Sequence, residues 1–432
     1  MSEPQHFDVL VIGAGPAGIA AAAAAAGSGA RVAMIDALAK PGGQIWRGST
    51  SSPYGRARRW LDRLHRCNVR VYASTQVVDI PEPGMVLAES ERGSILIAWS
   101  KLILAVGARE LFLPFPGWTL PNVVGMGGLQ ALIKSGLDVR ERRIVVAGSG
   151  PLLWASAAHA LACGADITVI AEQAPGAAVR GFARGLFRHP RQLVDAARLR
   201  LELAGVPVRM GTWPVGAHGT ARVREVELTD GQRVSTERCD YLACAFGLVG
   251  ELELPMLAGC AIEADRVRVD EWQETSVAGI FCAGEATGIG GVDKALEEGL
   301  IAGYAATGRP DRARSRFARR ARGRAFAGAL ARAFALRKEL KALARDDTIV
   351  CRCEDIPKGQ LQGLSSWREA KLFTRCGMGA CQGRVCGSAT RVLFGYGPNS
   401  ARPPAFPARL ESLAATNDTR QPSEGSRGAA WK

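Results

Sequence analysis

The chain predicts a doubly wound α/β protein, with two nucleotide-binding-type domains in tandem and a small helical cysteine-rich module behind them. Three observations carry this. A strand–glycine turn–helix–strand unit opens the chain, and a second unit of the same construction begins at Arg143. Five of the 11 cysteines then fall between Cys351 and Cys386. In the first unit residues 9–12 are an apolar strand, 13–18 a glycine-rich turn, 19–26 a strong helix former and 32–35 a second apolar strand. In the second, 144–147 read as strand, 148–151 as turn, the stretch through Ala162 as helix and 167–170 as strand. Two βαβ units in tandem predict two Rossmann-like domains.

Between the units a basic helix is expected at 56–66, and alternating segments at 69–80 and 94–106 read as a small sheet returning to the first domain. Alternation resumes at 223–245, and 279–303 is a strand running into a helix. The domain limits that follow are 1–117 and 241–308 for the first nucleotide domain and 118–240 for the second. A basic helical linker occupies 309–345, the cysteine module 346–400 and a tail 401–432. The tail is rich in Pro, Ser, Gly and Asn and is expected to be disordered, above all beyond about Leu413.

Composition narrows the function classes. Of 432 residues, 47% are hydrophobic and 51 are glycine, as suits a globular protein with many tight strand-to-helix turns. No basic n-region precedes the first strand, and no apolar run approaches the roughly 20 residues of a membrane span. The reading is a soluble, cytoplasmic protein without a membrane span. The net charge of +14 is concentrated: between Arg309 and Arg345, 13 Lys/Arg face Asp311 and Glu339, which is +11 and leaves +3 elsewhere. Aromatic residues are not interleaved there as a base-stacking surface requires, so no nucleic-acid partner is expected. A solvated or partner-facing helix is. Cys67, Cys163, Cys239, Cys244, Cys260 and Cys282 are scattered, several within apolar runs, and read as buried small hydrophobes. The clustered five favour metal or cluster ligation over disulfides.

Gly13-Ala14-Gly15-Pro16-Ala17-Gly18 matches GxGxxG between a strand and a helix, and Asp36 ends the next strand 23 positions beyond Gly13. The chemistry needs these types at this spacing. Gly13 permits the tight turn, Gly15 lets the backbone approach a pyrophosphate facing the helix N-terminus, and Gly18 lets helix and strand pack closely. Asp36 can accept hydrogen bonds from ribose hydroxyls. Three later stretches fill out the pattern: Lys40-Pro41-Gly42-Gly43-Gln44, the apolar run ending Val106-Gly107-Ala108-Arg109, and Gly279-Ile280-Phe281-Cys282-Ala283-Gly284-Glu285-Ala286. In this order they resemble the flavoproteins with two dinucleotide-binding domains, the thioredoxin-reductase-like superfamily, over about residues 6–305. The resemblance implies FAD, with Gly43 and Gln44 close to the flavin ring and Gly107 at the end of the small sheet. It implies Gly284 and Glu285 near the ribityl chain and pyrophosphate, Glu285 standing where the family has aspartate.

The second fingerprint, Gly148-Ser149-Gly150-Pro151-Leu152-Leu153, carries Leu153 where the third glycine belongs. A leucine there is expected to push the helix from the strand and narrow the pyrophosphate space. Glu172 ends the following strand, and no arginine cluster follows it to select NADP. The site binds NAD poorly, holds an adenine nucleotide structurally or is empty; the favoured reading is a relic that takes no hydride from NAD(P)H. No Cys-x-x-Cys occurs before residue 346, and Cys239 and Cys244 look like packing, so disulfide reduction is not expected.

In the module, Cys351-Arg352-Cys353-Glu354 precedes Cys376-Gly377-Met378-Gly379-Ala380-Cys381-Gln382-Gly383-Arg384-Val385-Cys386-Gly387. Four thiolates can surround a [2Fe–2S] pair, and the glycines leave backbone amides free to approach sulfur. A four-cysteine zinc knuckle competes, although Cys-x-Cys is unlike the Cys-x2-Cys of zinc ribbons. Spacing alone leaves open which four of the five ligate. The stretch resembles bacterioferritin-associated-ferredoxin-like domains, over about 346–397. That resemblance implies ligation by Cys351, Cys353, Cys381 and Cys386 and sets Cys376 aside.

As a whole the chain resembles the small FAD subunits of opine oxidases, of heteromeric D-hydroxyproline and proline dehydrogenases, and of hydrogen cyanide synthase. The resemblance implies an oxidoreductase acting on CH–NH donors as part of a complex. An amino-acid-oxidase-like flavoprotein partner would oxidise a small-molecule amine, and electrons would pass through FAD and the [2Fe–2S] centre. It leaves room for FMN or an adenine nucleotide shared with the complex. No catalytic constellation is found in the chain; His159, within a helix, and His189, in a basic loop, read as structural or solvated. A stand-alone NAD(P)H-dependent reductase and a non-enzymatic iron–sulfur interaction module are the alternatives.

Overall fold

The computed structural model describes residues 4–46 and 55–414. The chain forms two compact units: one comprises the residues up to Ala108, Gly250–Arg324 and those from Ser400 on, the other Arg109–Val249 and Ala325–Asn399. The sequence reading sets the crossings at 117/118 and 240/241, whereas the units change over at 108/109 and 249/250.

The first unit is built on a seven-stranded sheet. Its order is Val69–Tyr72, Val32–Ile35, Gln5–Ile12, Gly93–Leu104, Met85–Ser90 and Thr75–Asp79, with Ile280–Cys282 also paired to Gly93–Leu104. The apolar runs at 9–12 and 32–35 are buried on both faces, as parallel strands covered by helices must be. Gly93–Leu104 joins two kinds of pairing, parallel to Gln5–Ile12 at its end and antiparallel to Met85–Ser90 at its start. Helix Arg56–Arg66 buries Ala57, Leu61 and Leu64 on one stripe and turns its basic residues away.

The helix Pro16–Ala26 is buried along almost its whole length. It lies against Gly291–Ala306 at backbone distance: a Cβ on Gly299 would fall 2.1 Å from the Ala17 carbonyl oxygen, and one on Gly303 2.3 Å from that of Ala21. The alanine run exists for this contact, because larger side chains would hold the helices apart.

The second unit carries a five-stranded parallel sheet in the order Val208–Met210, Asp166–Glu172, Arg143–Gly148, Tyr241–Ala245 and Val123–Gly125. A three-stranded antiparallel sheet, Trp213–His218, Glu225–Thr229 and Val234–Arg238, accompanies it. Cys239 and Cys244 are buried in its core, as packing residues. The cysteine module belongs to this unit. The Trp118 indole donates to the Ile349 carbonyl at 2.6 Å, and Leu340 is fully buried in the same core as Trp118.

Two expectations are corrected. The basic stretch is not wholly solvated: the one buried residue of helix Phe317–Ala333 is Arg320. Its guanidinium donates to the Glu271 carbonyl and to Gln273 Oε1, while Arg324 donates to Gln273 Oε1 at 3.1 Å and Glu298 Oε1 at 3.3 Å. Buried acceptors on its own chain hold those charges. Nor is the start of the tail disordered. The Ala405 amide donates to the Val78 carbonyl at 2.7 Å, and Arg409 pairs with Glu89. Chain from Ser400 thereby covers the open edge of Thr75–Asp79, a protection that edge strands require. The rest of the expected disordered tail, 415–432, lies outside the described residues. Among the described residues no helix is long and apolar enough to cross a membrane.

Gly299→Val should destabilise the first unit by about 2 kcal/mol or more through overpacking. Gly181→Ala, in a helix where nothing lies within 4 Å of the added Cβ, should leave stability unchanged or raise it by up to about 1 kcal/mol. Thermal melts of the two variants check both signs.

Candidate functional site

Four loops meet at the carboxyl ends of the parallel strands of the first unit, the place where doubly wound sheets bind nucleotides. The first is the fingerprint turn. Gly13 has φ 103°, and a Cβ there would lie 2.2 Å from the Ala105 carbonyl oxygen; one on Gly18 would lie 1.8 Å from that of Gly13. Gly15, by contrast, has nothing within 4 Å of where a Cβ would stand. It caps helix Pro16–Ala26 with no side chain on the helix's first amides. An open glycine above uncapped amides suits a pyrophosphate, and the residues present fit FAD.

Asp36 ties this turn to the sheet by accepting from the amides of Ala14 and, at 2.7 Å, Leu38. It remains half-buried, so a carboxylate edge is left for a ribose. Burial raises its pKa against the lowering effect of those two amides.

The second loop, 40–44, lies across the turn. The Gly42 amide donates to the Ala14 carbonyl at 2.8 Å, and a Cβ on Gly43 would come within 2.9 Å of Gly15 Cα. Gln44 beside it is exposed. The third is Gly107, whose carbonyl accepts from the Glu251 amide at 3.1 Å where the chain returns to this unit. The fourth begins at Gly284, where a Cβ would touch that of Ala17 at 2.9 Å. The Glu285 carboxylate accepts from Gly290 and Gly291 at 2.7 and 2.8 Å, at the start of helix Gly291–Ala306. Burial raises its pKa, while Lys294 and those two amides lower it.

Sequence reasoning missed what fixes this fourth loop. The Lys294 ammonium donates to Gly284 O at 2.9 Å, to Thr287 Oγ1 at 3.0 Å and to Glu298 Oε2 at 2.7 Å. Glu298 Oε2 also accepts from the Gly284 amide at 3.1 Å and the Thr287 hydroxyl at 2.8 Å. The signal was a Lys and a Glu four apart on a helix flanked by buried Ala295, Leu296 and Leu300.

In the second fingerprint, Leu153 is fully buried with Val146 and Ala243 in the core beneath the helix Pro151–Ala162. The hydrophobic effect draws the leucine inward. His159 is half-buried in that helix, its pKa lowered by desolvation and by Lys134. The His189 ring meets Phe326 edge-on at 5.1 Å.

In the cysteine module the thiols of Cys351, Cys376 and Cys386 lie within 4.8 Å of one another. Cys386 and Cys353 lie near enough to Cys381 to perturb its thiol, so the other two cysteines border this cluster. Of the four positions implied by resemblance, Cys351 and Cys386 are in the cluster together with Cys376, and Cys353 and Cys381 border it. The Gly377 amide donates to Cys351 Sγ at 3.4 Å. A Cβ on Gly377 or Gly383 would fall 2.4 or 2.7 Å from the Trp367 ring, so the glycines wrap this loop around a buried tryptophan. A thiol group of this kind suits an iron–sulfur centre or zinc.

Comparison with known proteins agrees with the geometry. The profile of the family described as "Pyridine nucleotide-disulphide oxidoreductase" matches residues 7–299. An opine oxidase subunit of Rhizobium meliloti (strain 1021) is 33% identical over 94% of this chain and 98% of its own. Hydrogen cyanide synthase subunit HcnB of Pseudomonas aeruginosa is 31% identical over 87% of this chain and 90% of its own. Among solved structures, L-proline dehydrogenase from P. horikoshii shares the fold, with a TM-score of 0.66 at 20% identity over 96% of this chain and 81% of that one.

Gly18→Ala should abolish FAD retention while leaving the metal content of the cysteine module unchanged. The ratio of visible to ultraviolet absorbance, with metal analysis on the same sample, checks it.

Proposed function

We propose that this chain, which belongs to the pyridine nucleotide-disulphide oxidoreductase family and is a flavoprotein oxidoreductase related to opine oxidase subunits, is the FAD- and [2Fe–2S]-carrying member of a heteromeric amine or amino-acid dehydrogenase. The observation that carries this reading is a cluster of thiols on the same chain as an open dinucleotide turn. FAD when bound exchanges electrons in pairs and a [2Fe–2S] centre exchanges them singly, so the two together divide a hydride equivalent.

The chain's own residues then have these roles. Gly13, Gly15 and Gly18 admit the pyrophosphate to the helix N-terminus, and Asp36 accepts from the ribose. Gly43 and Gln44 would lie close to the flavin ring, Gly284 and Glu285 near its ribityl chain and pyrophosphate, and Gly107 would complete the cofactor-binding set. Cys351, Cys353, Cys381 and Cys386 are the ligands. Cys351 and Cys386 of this set lie within 4.8 Å of each other, and the set as a whole rests on the resemblance of the Cys-x-Cys and Met-Gly-x-Cys-Gln-Gly-Arg-x-Cys stretches. Cys376 stands beside Cys351 and Cys386 as a fifth thiol. An amino-acid-oxidase-like flavoprotein partner oxidises the C–N bond of an opine, hydroxyproline, proline or related substrate and delivers the electrons here.

Anaerobic visible spectroscopy on the chain co-purified with its partner tests the relay. N-alkyl and cyclic amino acids should bleach flavin and cluster, and NADH should not; bleaching by NADH alone would replace the relay with an NAD(P)H-dependent reductase. For the ligands, Cys353→Ser and Cys381→Ser should lose iron, and Cys376→Ser should keep two irons per chain. Equal iron loss in Cys376→Ser would place that thiol among the ligands.

A further inference from the structure

The chain contains two fingerprint turns built to one plan, and the first is an internal control for the second. In both, the acid at the end of the following strand ties the turn down. Asp36 accepts from Ala14 and Leu38, and Glu172 accepts from Gly150 and Ala174 at 2.8 Å each. The surroundings differ. Gly13, Gly15 and Asp36 are all partly exposed, whereas Gly148, Gly150 and Glu172 are all buried, Glu172 completely.

The chain's own segment 334–337, which leaves helix Phe317–Ala333, lies against the second turn at Ser149, Gly150 and Gln173. The Ser149 hydroxyl donates to the Phe334 carbonyl at 3.3 Å. Gln173, fully buried, donates to Ser149 Oγ at 2.8 Å and to the Ala335 carbonyl at 3.1 Å, and its Oε1 accepts from the Arg337 amide at 3.1 Å. A Phe334 ring carbon stands 3.9 Å from where a Cβ on Gly150 would be, and the ring packs edge-on against Phe182 at 5.3 Å. The Arg337 guanidinium lies over the Trp213 ring at 4.4 Å. Both ends of the four-residue segment are therefore fastened within the second unit.

We propose that 334–337 is a built-in occupant of the second dinucleotide site, and that it, not Leu153, excludes pyridine nucleotides as electron donors to this chain. A pyrophosphate needs open space above Gly150 and free amides at the helix start. Here an apolar ring covers Gly150, whose amide is already committed to Glu172. An adenosine ribose needs an accessible carboxylate, and Glu172 has none of its surface exposed. Phosphate cannot share this ground with Phe334, because an anion facing a benzene ring loses its hydration without gaining a donor. The segment also sets where the cysteine module begins, since Leu340 enters the core three residues after Arg337. The proposal deepens the donor assignment made above but does not require the partner.

The test uses the full chain with FAD bound, and NADH and ADP as probes in calorimetric titrations. The wild type should show no saturable binding of either up to about millimolar probe. The double variant Phe334→Gly/Ala335→Gly loosens the segment and leaves Gly150, Glu172 and Gln173 in place; it should bind NADH at least tenfold more tightly than the wild type. Hydrogen exchange on the unaltered chain gives a second measurement: the Arg337 and Gly150 amides should keep equal protection with and without NADH. A wild type that binds NADH while the 334–337 amides lose protection would make the segment a displaceable lid and overturn the proposal. So would a double variant with normal flavin content and no gain in affinity. A chain that neither NADH nor any amine reduces would count against the proposed relay while leaving this inference standing.

Discussion

The backbone-to-backbone contact of two helices sets the position of almost everything in the first unit. Pro16–Ala26 starts at the fingerprint turn and Gly291–Ala306 starts behind the Gly284 turn, so the distance between the helices is also the distance between two walls of the cofactor cleft. That distance is set by Gly299 and Gly303 lying under the carbonyls of Ala17 and Ala21. Dispersion between surfaces this close is individually weak and collectively large, and it tolerates no added methyl group. Gly18 repeats the logic one layer further in, against the Gly13 carbonyl. An alanine-rich helix has little intrinsic amphipathicity to orient it; here the fit of small surfaces orients it instead.

A buried ion pair completes that arrangement. Lys294 and Glu298 are 4% and 0% exposed, and desolvating two charges is expensive unless every donor and acceptor finds a partner. The three bonds from Lys294 and the further contacts of Glu298 to Gly284, Thr287 and Arg324 meet that condition. The network joins the amide and the carbonyl of one glycine to a single helix, which holds the turn in one geometry. It also explains why the basic helix is anchored at Arg324: Glu298 carries a second oxygen that needs a donor. The charge at 309–345 that reads as a surface feature is in part an internal one.

The chain treats its two nucleotide turns oppositely. The first keeps its glycines and its acid partly exposed, and the second has the same strand–turn–helix frame with polar groups that face its own backbone. Buried polar groups must be hydrogen-bonded, and in the second turn Gln173 meets that need with a serine hydroxyl, a carbonyl and an amide of the same chain. A scaffold of this kind can lose a ligand without losing its fold, provided another segment satisfies the groups the ligand would have satisfied.

Local pattern was enough to read much of this protein from its sequence. The strands at 9–12 and 32–35, the helix at 56–66, both fingerprint turns and the clustered cysteines are short-range signals of spacing and residue type, and the folded chain has each of them in place. Tertiary structure decided what depends on residues far apart in the chain. The motif places Leu153 at the third glycine position, and only the folded chain shows which core residues it packs against. Cys376 looks dispensable by resemblance, yet folding brings it beside Cys351, 25 positions away. The segment 334–337 lies more than 180 residues from the turn it covers, and residues from Ser400 on shield a strand edge formed before residue 80. The sequence by itself determined which elements form and which chemistry they can support. Only packing, in which burial and hydrogen-bond satisfaction act between distant segments, decided that the glycines of one fingerprint turn stay partly exposed while those of the other are buried.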